Sequence, residues 1–275
     1  MKISDSKYGC RLGILKSNII AYADDIVLLA PSPTSLQILI NIAYAEAQKL
    51  EMKFNIEKSK CLVFNCPRNK PSENIHFCVG NKPLERVLSF KYLGFILNSN
   101  LCNSEDVNRV KNKFYQEFNS ILRKFSFSYV RVKLHLFRQF CLQFYGAELW
   151  FGNKGAVTSL KQFGIGYHKA IKKVLGLSYN ESSHYACQEA ELYTFENLVN
   201  KIKIMYVLRL MLSPCDFLGK INSFLSVSSV LYNEVYDILQ SKYNIQSLVE
   251  NDKAAIMARI SFVQNREPQS RGAWF

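Results

Sequence analysis

Ile19-Ile20-Ala21-Tyr22-Ala23-Asp24-Asp25-Ile26-Val27-Leu28-Leu29-Ala30 places two adjacent acids between two apolar runs, each short enough to be a strand. The arrangement reads as a β-hairpin: one strand in, a tight turn carrying the acids, one strand out. Adjacent carboxylates repel, so holding both between buried strands is costly unless a cation neutralises them. Hard divalent ions such as Mg²⁺ suit the position, because they take oxygen ligands from one or two carboxylates together with substrate phosphates. Asp24 and Asp25 are therefore candidate metal ligands. For a bare Asp-Asp pair, the competing reading is a solvated polar turn.

Outward from the hairpin, residues 1–18 are polar and mixed and lead into the first strand. Downstream, Thr34 or Ser35 is placed to cap a helix whose apolar positions Leu36, Leu39, Ile40, Ala43, Ala47 and Leu50 recur at helical spacing. Cys61 to Phe64 reads as a strand and Pro67 to Asn74 as a loop. Ile75 to Val79, a turn at Gly80-Asn81, and Ser89 to Leu97 supply two more strands. The result is a hairpin, a crossover helix and a small antiparallel sheet.

From Asn98 the pattern turns helical. Asn103 or Ser104 can cap a helix with Glu105 and Asp106 in its first turn, and Val107, Val110, Phe114, Phe118, Ile121 and Phe125 form one apolar face. A second helix is expected from Val130 to Trp150, with Leu134, Phe137, Phe140, Cys141 and Phe144 inward, and a third from Ser159 to Leu175. The third carries Lys161, His168, Lys169, Lys172 and Lys173. As charge alone, such a row is more often a solvated face than a phosphate track. Residues 181–212 read as one or two helices ended by Ser213-Pro214, and shorter helices reach Arg266.

Tyr22-Ala23-Asp24-Asp25 in its apolar frame resembles the catalytic hairpin of reverse transcriptases, and the alanine is closer to the LINE-type (non-LTR retrotransposon) branch than to the retroviral one. Asn55-Ile56-Glu57-Lys58-Ser59 is similar to the next palm motif of that family, Asn-x-x-Lys-Ser/Thr. Phe90-Lys91-Tyr92-Leu93-Gly94-Phe95-Ile96-Leu97 is similar to the motif that grips the primer. The resemblance implies an α+β fold: a partial polymerase palm over residues 1–97, a helical thumb-like region over 98–175 and a helical C-terminal extension over 176–275.

It also implies RNA-directed DNA synthesis by two-metal nucleotidyl transfer, with two Mg²⁺ ions, an RNA template, a DNA primer and deoxynucleoside triphosphates. Asp24 would be the principal metal ligand, with Asp25 in a secondary role. Lys58 would protonate the leaving pyrophosphate, and Tyr22 would pack against the primer terminus. Phe90, Lys91, Tyr92, Leu93 and Gly94 would set a turn against the primer backbone, and Lys169, Lys172 and Lys173 would meet template or primer phosphates. The residues alone also fit a surface lysine, an ordinary strand tyrosine and plain strand packing.

Two departures accompany the likeness. The family carries a further catalytic Asp on a palm strand behind a fingers region, and 21 residues before Tyr22 leave no room for either. Little or no activity is expected of the chain alone; a second chain could supply the missing palm and fingers. The family also favours Gly where Glu51 stands, a position suited to a left-handed helix C-cap. The strand neighbours missing with that segment predict an exposed sheet edge beside Ile19-Ile20 and Ile26 to Leu29.

Composition agrees with a polyanionic partner. Lys+Arg 35 against Asp+Glu 22 gives a net charge of +13 and a pI near 9.3, which favours phosphate neutralisation. A non-catalytic nucleic-acid-binding relic of a decayed element is the alternative to a polymerase. Hydrophobic content of 48% fits a globular protein and opposes disorder. Eight scattered cysteines form no C-x-x-C pair, which suggests reduced thiols, no disulfide and an intracellular, reducing setting. His184-x-x-Cys187 with His168 and Cys215 fits no common zinc spacing. No apolar run reaches the length of a bilayer span, so no membrane association is expected.

Overall fold

Tight two-residue turns build the first part of the chain, in a computed structural model that describes residues 6–12, 15–64, 76–150, 154–215, 217–221, 223 and 229–243. β1 (Cys10–Leu12) pairs antiparallel with β2 (Leu15–Ser17), and β3 (Ile19–Tyr22) pairs antiparallel with β4 (Asp25–Leu28). The segment before the acidic hairpin is thus itself partly a hairpin. Asn18 ties the two together: its buried amide donates to the Ser6 carbonyl (2.9 Å), and its own carbonyl accepts from the Leu29 N–H (3.0 Å). A Cβ on Gly9 would lie 1.8 Å from the Asn18 side-chain oxygen, so this junction needs glycine.

α1 (Pro33–Lys49) has its cap two or three residues before the expected Thr34 or Ser35. Ser32 is the cap, its Oγ accepting from the Ser35 N–H (3.2 Å), and Pro33 takes the first helical position, where no N–H is needed. Leu39, Ile40, Ala43 and Ala47 are buried as the spacing predicts, whereas Leu50 lies beyond the last turn and is exposed. The helix closes in a Schellman motif: Met52 N–H donates to the Ala47 carbonyl (2.9 Å) and Glu51 N–H to that of Gln48 (3.1 Å), with Glu51 left-handed at φ 56°.

β5 (Lys60–Leu62), β6 (Phe77–Val79) and β7 (Lys82–Val87) form a sheet in the order β5-β7-β6. β7 runs antiparallel to β6 and parallel to β5, so this sheet is mixed. The Gln37 side chain completes the outer edge of β6, donating to the Cys78 carbonyl (2.8 Å) and accepting from its N–H (2.9 Å). Ile40, Cys61, Phe77 and Val79 form the core between α1 and this sheet. Ser89 to Leu97, read from sequence as a single strand, folds back on itself as β8 (Ser89–Tyr92) and β9 (Phe95–Asn98). Leu93 (φ 45°) and Gly94 (φ 84°) make that turn. The expected loop from Pro67 to Asn74, and Ile75, lie outside the described residues.

Met1–Cys102 and Asn103–Phe275 are two compact units. The fold is α+β, with small sheets in the first unit and helices in the second. The family resemblance implies divisions after residues 97 and 175.

In the second unit α2 (Ser104–Lys124) buries Val107, Val110, Phe114, Phe118 and Ile121, while Phe125 falls past its end. The Phe114 ring is the centre of an aromatic core, with Phe118, Phe137, Phe144, Phe163 and Tyr167 at 5.4 to 6.4 Å between centroids. The helix expected from Val130 to Trp150 is broken. α3 (Val130–Leu136) widens into a π turn at Phe137–Cys141 and gives way to a short 3-10 turn at Ala147–Leu149. The wide turn shifts the helical phase, so Phe137, Cys141 and Phe144 are buried while Phe140 is exposed.

α4 (Lys154–Leu175) packs on α2 and on α5 (Ser183–Glu189), and α6 (Phe195–Met211) packs on α7 (Val230–Tyr243). The expected helices beyond Tyr243 lie outside the described residues. Asp106 is in the first turn of α2 as expected, and it is wholly buried. Trp150 Nε1–H donates to its Oδ2 (2.9 Å), and Arg109 Nε–H donates to its Oδ1 (2.7 Å).

Candidate functional site

The acidic hairpin turns in two residues. Tyr22 faces Asp25 across the last rung of the ladder, and Ala23-Asp24 form the loop, with Ala23 left-handed at φ 53°. One acid is therefore in the turn and the other opens β4. Asp25 shares a strand face with Tyr22, as directly opposed residues do. Tyr22, Ala23, Asp24 and Asp25 are all exposed, and among the described residues neither carboxylate takes part in a hydrogen bond or ion pair. Ile20 and Ile26 behind them are also exposed, in contrast to strands covered on both faces.

The Asn-x-x-Lys-Ser stretch has a local physical reason for its spacing. The Asn55 side-chain oxygen accepts from the Lys58 N–H (3.1 Å), and the Asn55 carbonyl accepts from Ser59 N–H (3.0 Å) and Ser59 Oγ (2.8 Å). Asn and Ser close the turn with their own side chains. Lys58 is left on its outside, exposed, just before β5.

In the third motif Lys91 and Leu93 are exposed, Phe90, Tyr92 and Gly94 are half-buried, and the chain reverses at Leu93-Gly94. Positive φ at both positions is the two-residue turn that a hairpin favours, and it explains Gly94 directly. The Tyr92 hydroxyl is buried with no hydrogen-bond partner among the described residues.

The three lysines of α4 separate. Lys169 and Lys173 are exposed. Lys172 is turned inward, 9% exposed, and its ammonium donates to the Tyr179 carbonyl (3.1 Å), so it is not available to a phosphate in this arrangement. Lys169 and Lys172 both lie over the Tyr179 ring, at 5.2 and 5.7 Å from its centroid.

His168, a ligand in the only zinc grouping the sequence suggested, is occupied otherwise. Its Nε2 accepts from the Phe195 N–H (3.3 Å) at the start of α6. Burial, and secondarily the Lys172 charge, hold its pKa below the ordinary value. Burial raises the Cys187 and Cys141 thiols to about 12, which keeps both protonated. Among the described residues no three His, Cys, Asp or Glu side chains form a cation site. No helix among them is long and apolar enough to cross a membrane.

Asp24 and Asp25 offer hard oxygen donors with open sides, which fits one divalent cation completed by water and substrate phosphate. They do not by themselves make the fuller ligand set that two ions would need. A feature that the sequence reading passed over lies in the second unit. Phe127 and Tyr129, in the turn between α2 and α3, are among its most exposed large side chains. The signal was legible as Phe125, Phe127 and Tyr129 alternating with Ser126 and Ser128, flanked by Arg123-Lys124 on one side and by Arg131 and Lys133 on the other.

Residues 3–97 match the family model described as reverse transcriptase (RNA-dependent DNA polymerase). The match spans all three motifs and ends before the helical unit. No curated protein matches the chain.

Proposed function

We propose that residues 1–97 are the back portion of a LINE-type polymerase palm and that Asp24 and Asp25 are its cation ligands in RNA-directed DNA synthesis. One observation carries the reading: the stretch matched to reverse transcriptases, 3–97, contains a hairpin tip on which both carboxylates are exposed and unengaged among the described residues. Mg²⁺ bound there would acidify an attacking hydroxyl and offset charge on the transferring phosphoryl group.

The chain's own residues divide the remaining work. Asp24, in the turn, is the principal ligand, and Asp25 assists from the first position of β4. Lys58, outside the Asn55 turn, neutralises and protonates the departing pyrophosphate. Tyr22, on the Asp25 side of the hairpin, meets the primer terminus. The Tyr92–Phe95 turn, with Phe90 and Lys91 leading into it, lies along the primer backbone. Residues 98–175 are thumb-like and 176–275 an extension; Lys169 and Lys173, both exposed on α4, meet template or primer phosphates.

The donor set also favours a second reading for the 275-residue chain taken alone, in which it holds template–primer duplex with little or no turnover. Two carboxylates leave transition-state charge poorly stabilised. Primer extension on an RNA template with Mg²⁺ and deoxynucleoside triphosphates separates the readings. Binding of the duplex that weakens with salt, accompanied by little extension, is expected. Robust extension abolished by Asp24→Asn would establish the polymerase and refute the inactivity; extension indifferent to Asp24→Asn would refute the ligand assignment.

A further inference from the structure

The turn joining α2 to α3 carries Arg123-Lys124-Phe125-Ser126-Phe127-Ser128-Tyr129-Val130-Arg131-Val132-Lys133. Phe127 is 105% exposed and Tyr129 87% exposed. Arg123, Lys124 and Arg131 are exposed around them. Single exposed apolar residues are ordinary on a protein surface. Two aromatic rings held out on one turn amid three free-standing cations are a different surface, because water solvates the rings poorly and the cations well.

The turn is built rather than slack. Ser128 N–H donates to the Phe125 carbonyl (3.1 Å), Val132 N–H to that of Tyr129 (3.0 Å), and the Lys133 ammonium to that of Ser126 (3.1 Å). Lys133 thus fixes the backbone immediately before Phe127. The charge is also one-signed over a long stretch: between Glu117 and Glu148 the sequence has no acid, while Arg123, Lys124, Arg131, Lys133 and Arg138 fall within it.

We infer that this turn is a stacking platform for unpaired bases of a single-stranded nucleic acid. Phe127 and Tyr129 take the base faces, while Arg123, Lys124 and Arg131 take the phosphates. Aromatic stacking tolerates any base, and cations track the backbone, which together give sequence-tolerant single-strand binding. The inference stands apart from the palm, because the turn lies outside the matched residues 3–97 and in the other unit.

The test uses the full chain and fluorescence anisotropy with a labelled, unstructured 12-nucleotide oligonucleotide, in both RNA and DNA forms. A blunt duplex of the same length and vesicles of phosphatidylserine and phosphatidylcholine serve as competitors. Phe127→Ala/Tyr129→Ala should weaken single-strand binding by about 30-fold or more while leaving the salt slope unchanged. Arg123→Gln/Lys124→Gln should instead flatten the dependence of affinity on salt. Duplex binding should change less than about twofold in the aromatic variant, since paired bases offer that turn no free face. Unchanged single-strand affinity in the aromatic variant would overturn the inference. So would equal losses for single strand and duplex, or aromatic-dependent binding to vesicles in place of the oligonucleotide. Circular dichroism of each variant matched to the parent removes misfolding as an explanation. Because Asp24→Asn leaves this turn untouched, failure of the palm assignment and failure of the platform are separately visible.

Discussion

Asp106→Ala should be among the most damaging single substitutions in the helical unit. The carboxylate is wholly buried at the start of α2 and accepts from the fully buried Trp150 indole and from Arg109. Truncation strands the indole N–H, at about 1–3 kcal/mol for an unsatisfied buried donor. It also breaks an ion pair to Arg109, whose side chain is 21% exposed and keeps its bond to the Tyr145 carbonyl (3.0 Å). Removing one partner of a fully buried pair costs about 3–5 kcal/mol, and the partial exposure of Arg109 argues for the low end of that range. The two penalties both describe loss of the same buried carboxylate and are not summed; the larger sets the loss at about 3 kcal/mol, a large share of a typical domain stability of about 5–15 kcal/mol.

Asp106→Asn preserves an acceptor for Trp150 but turns an amide N–H toward Arg109, and should cost about half as much, ~1–2 kcal/mol. Urea unfolding followed by Trp150 fluorescence measures both, in a Trp274→Phe background so that one tryptophan reports. A loss below about 1 kcal/mol for Asp106→Ala would refute the reasoning, because no buried charge–indole link could be that cheap to cut.

Other substitutions probe separate parts of the fold. Glu51→Gly should stabilise the first unit by about 0.5–1 kcal/mol, the left-handed penalty of about 1–2 kcal/mol less glycine's flexibility cost of about 0.5–1 kcal/mol; a lower urea midpoint would contradict the strained C-cap. Gln37→Leu should cost about 1–2 kcal/mol, because it removes both hydrogen bonds to Cys78, and should promote aggregation from the bared β6 edge. An unchanged stability and unchanged sedimentation profile would sink that role. His168 contributes a pH dependence whose sign follows from its lowered pKa. Below the unfolded value of 6.5 the unfolded chain takes up a proton that the buried, N–H-accepting ring resists, so stability is full above that pH and falls progressively beneath it. Thermal midpoints between pH 7 and about 5 should drop less in His168→Gln than in the parent; parallel curves would exclude His168 as the source.

Much of this fold is written in short-range chemistry, and that part was readable. The acidic hairpin, α1 and α2 follow from apolar spacing and turn residues, and the left-handed Glu51 follows from its place after a helix. Errors arose where local rules compete. Ser32 outbid Thr34 and Ser35 as cap because Pro33 is preset for the first helical position. β7 was hidden because Lys82, Pro83 and Glu85 look like loop residues, although they are exposed positions of a strand beside the core. Ser89 to Leu97 read as continuous because Leu93 does not advertise a positive φ.

Of the candidate site, local sequence gave Asp24, Asp25 and the Asn55–Ser59 turn, each made by neighbours in the chain. Lys172 was misread because its partner, the Tyr179 carbonyl, lies beyond the end of its own helix. Asp106 is in the first turn of α2 as expected, but its bond to Trp150, 44 residues away, leaves no local signal.

The most direct test of the acidic hairpin is electron paramagnetic resonance of Mn²⁺, substituting for Mg²⁺, titrated into the full chain with a deoxynucleoside triphosphate and an RNA–DNA template–primer. The parent should bind the ion–nucleotide complex saturably, with Asp24→Asn weakening it strongly, Asp25→Asn less, and circular dichroism unchanged in both. Equal binding by the parent and by Asp24→Asn/Asp25→Asn would contradict the assignment of these carboxylates as the cation ligands.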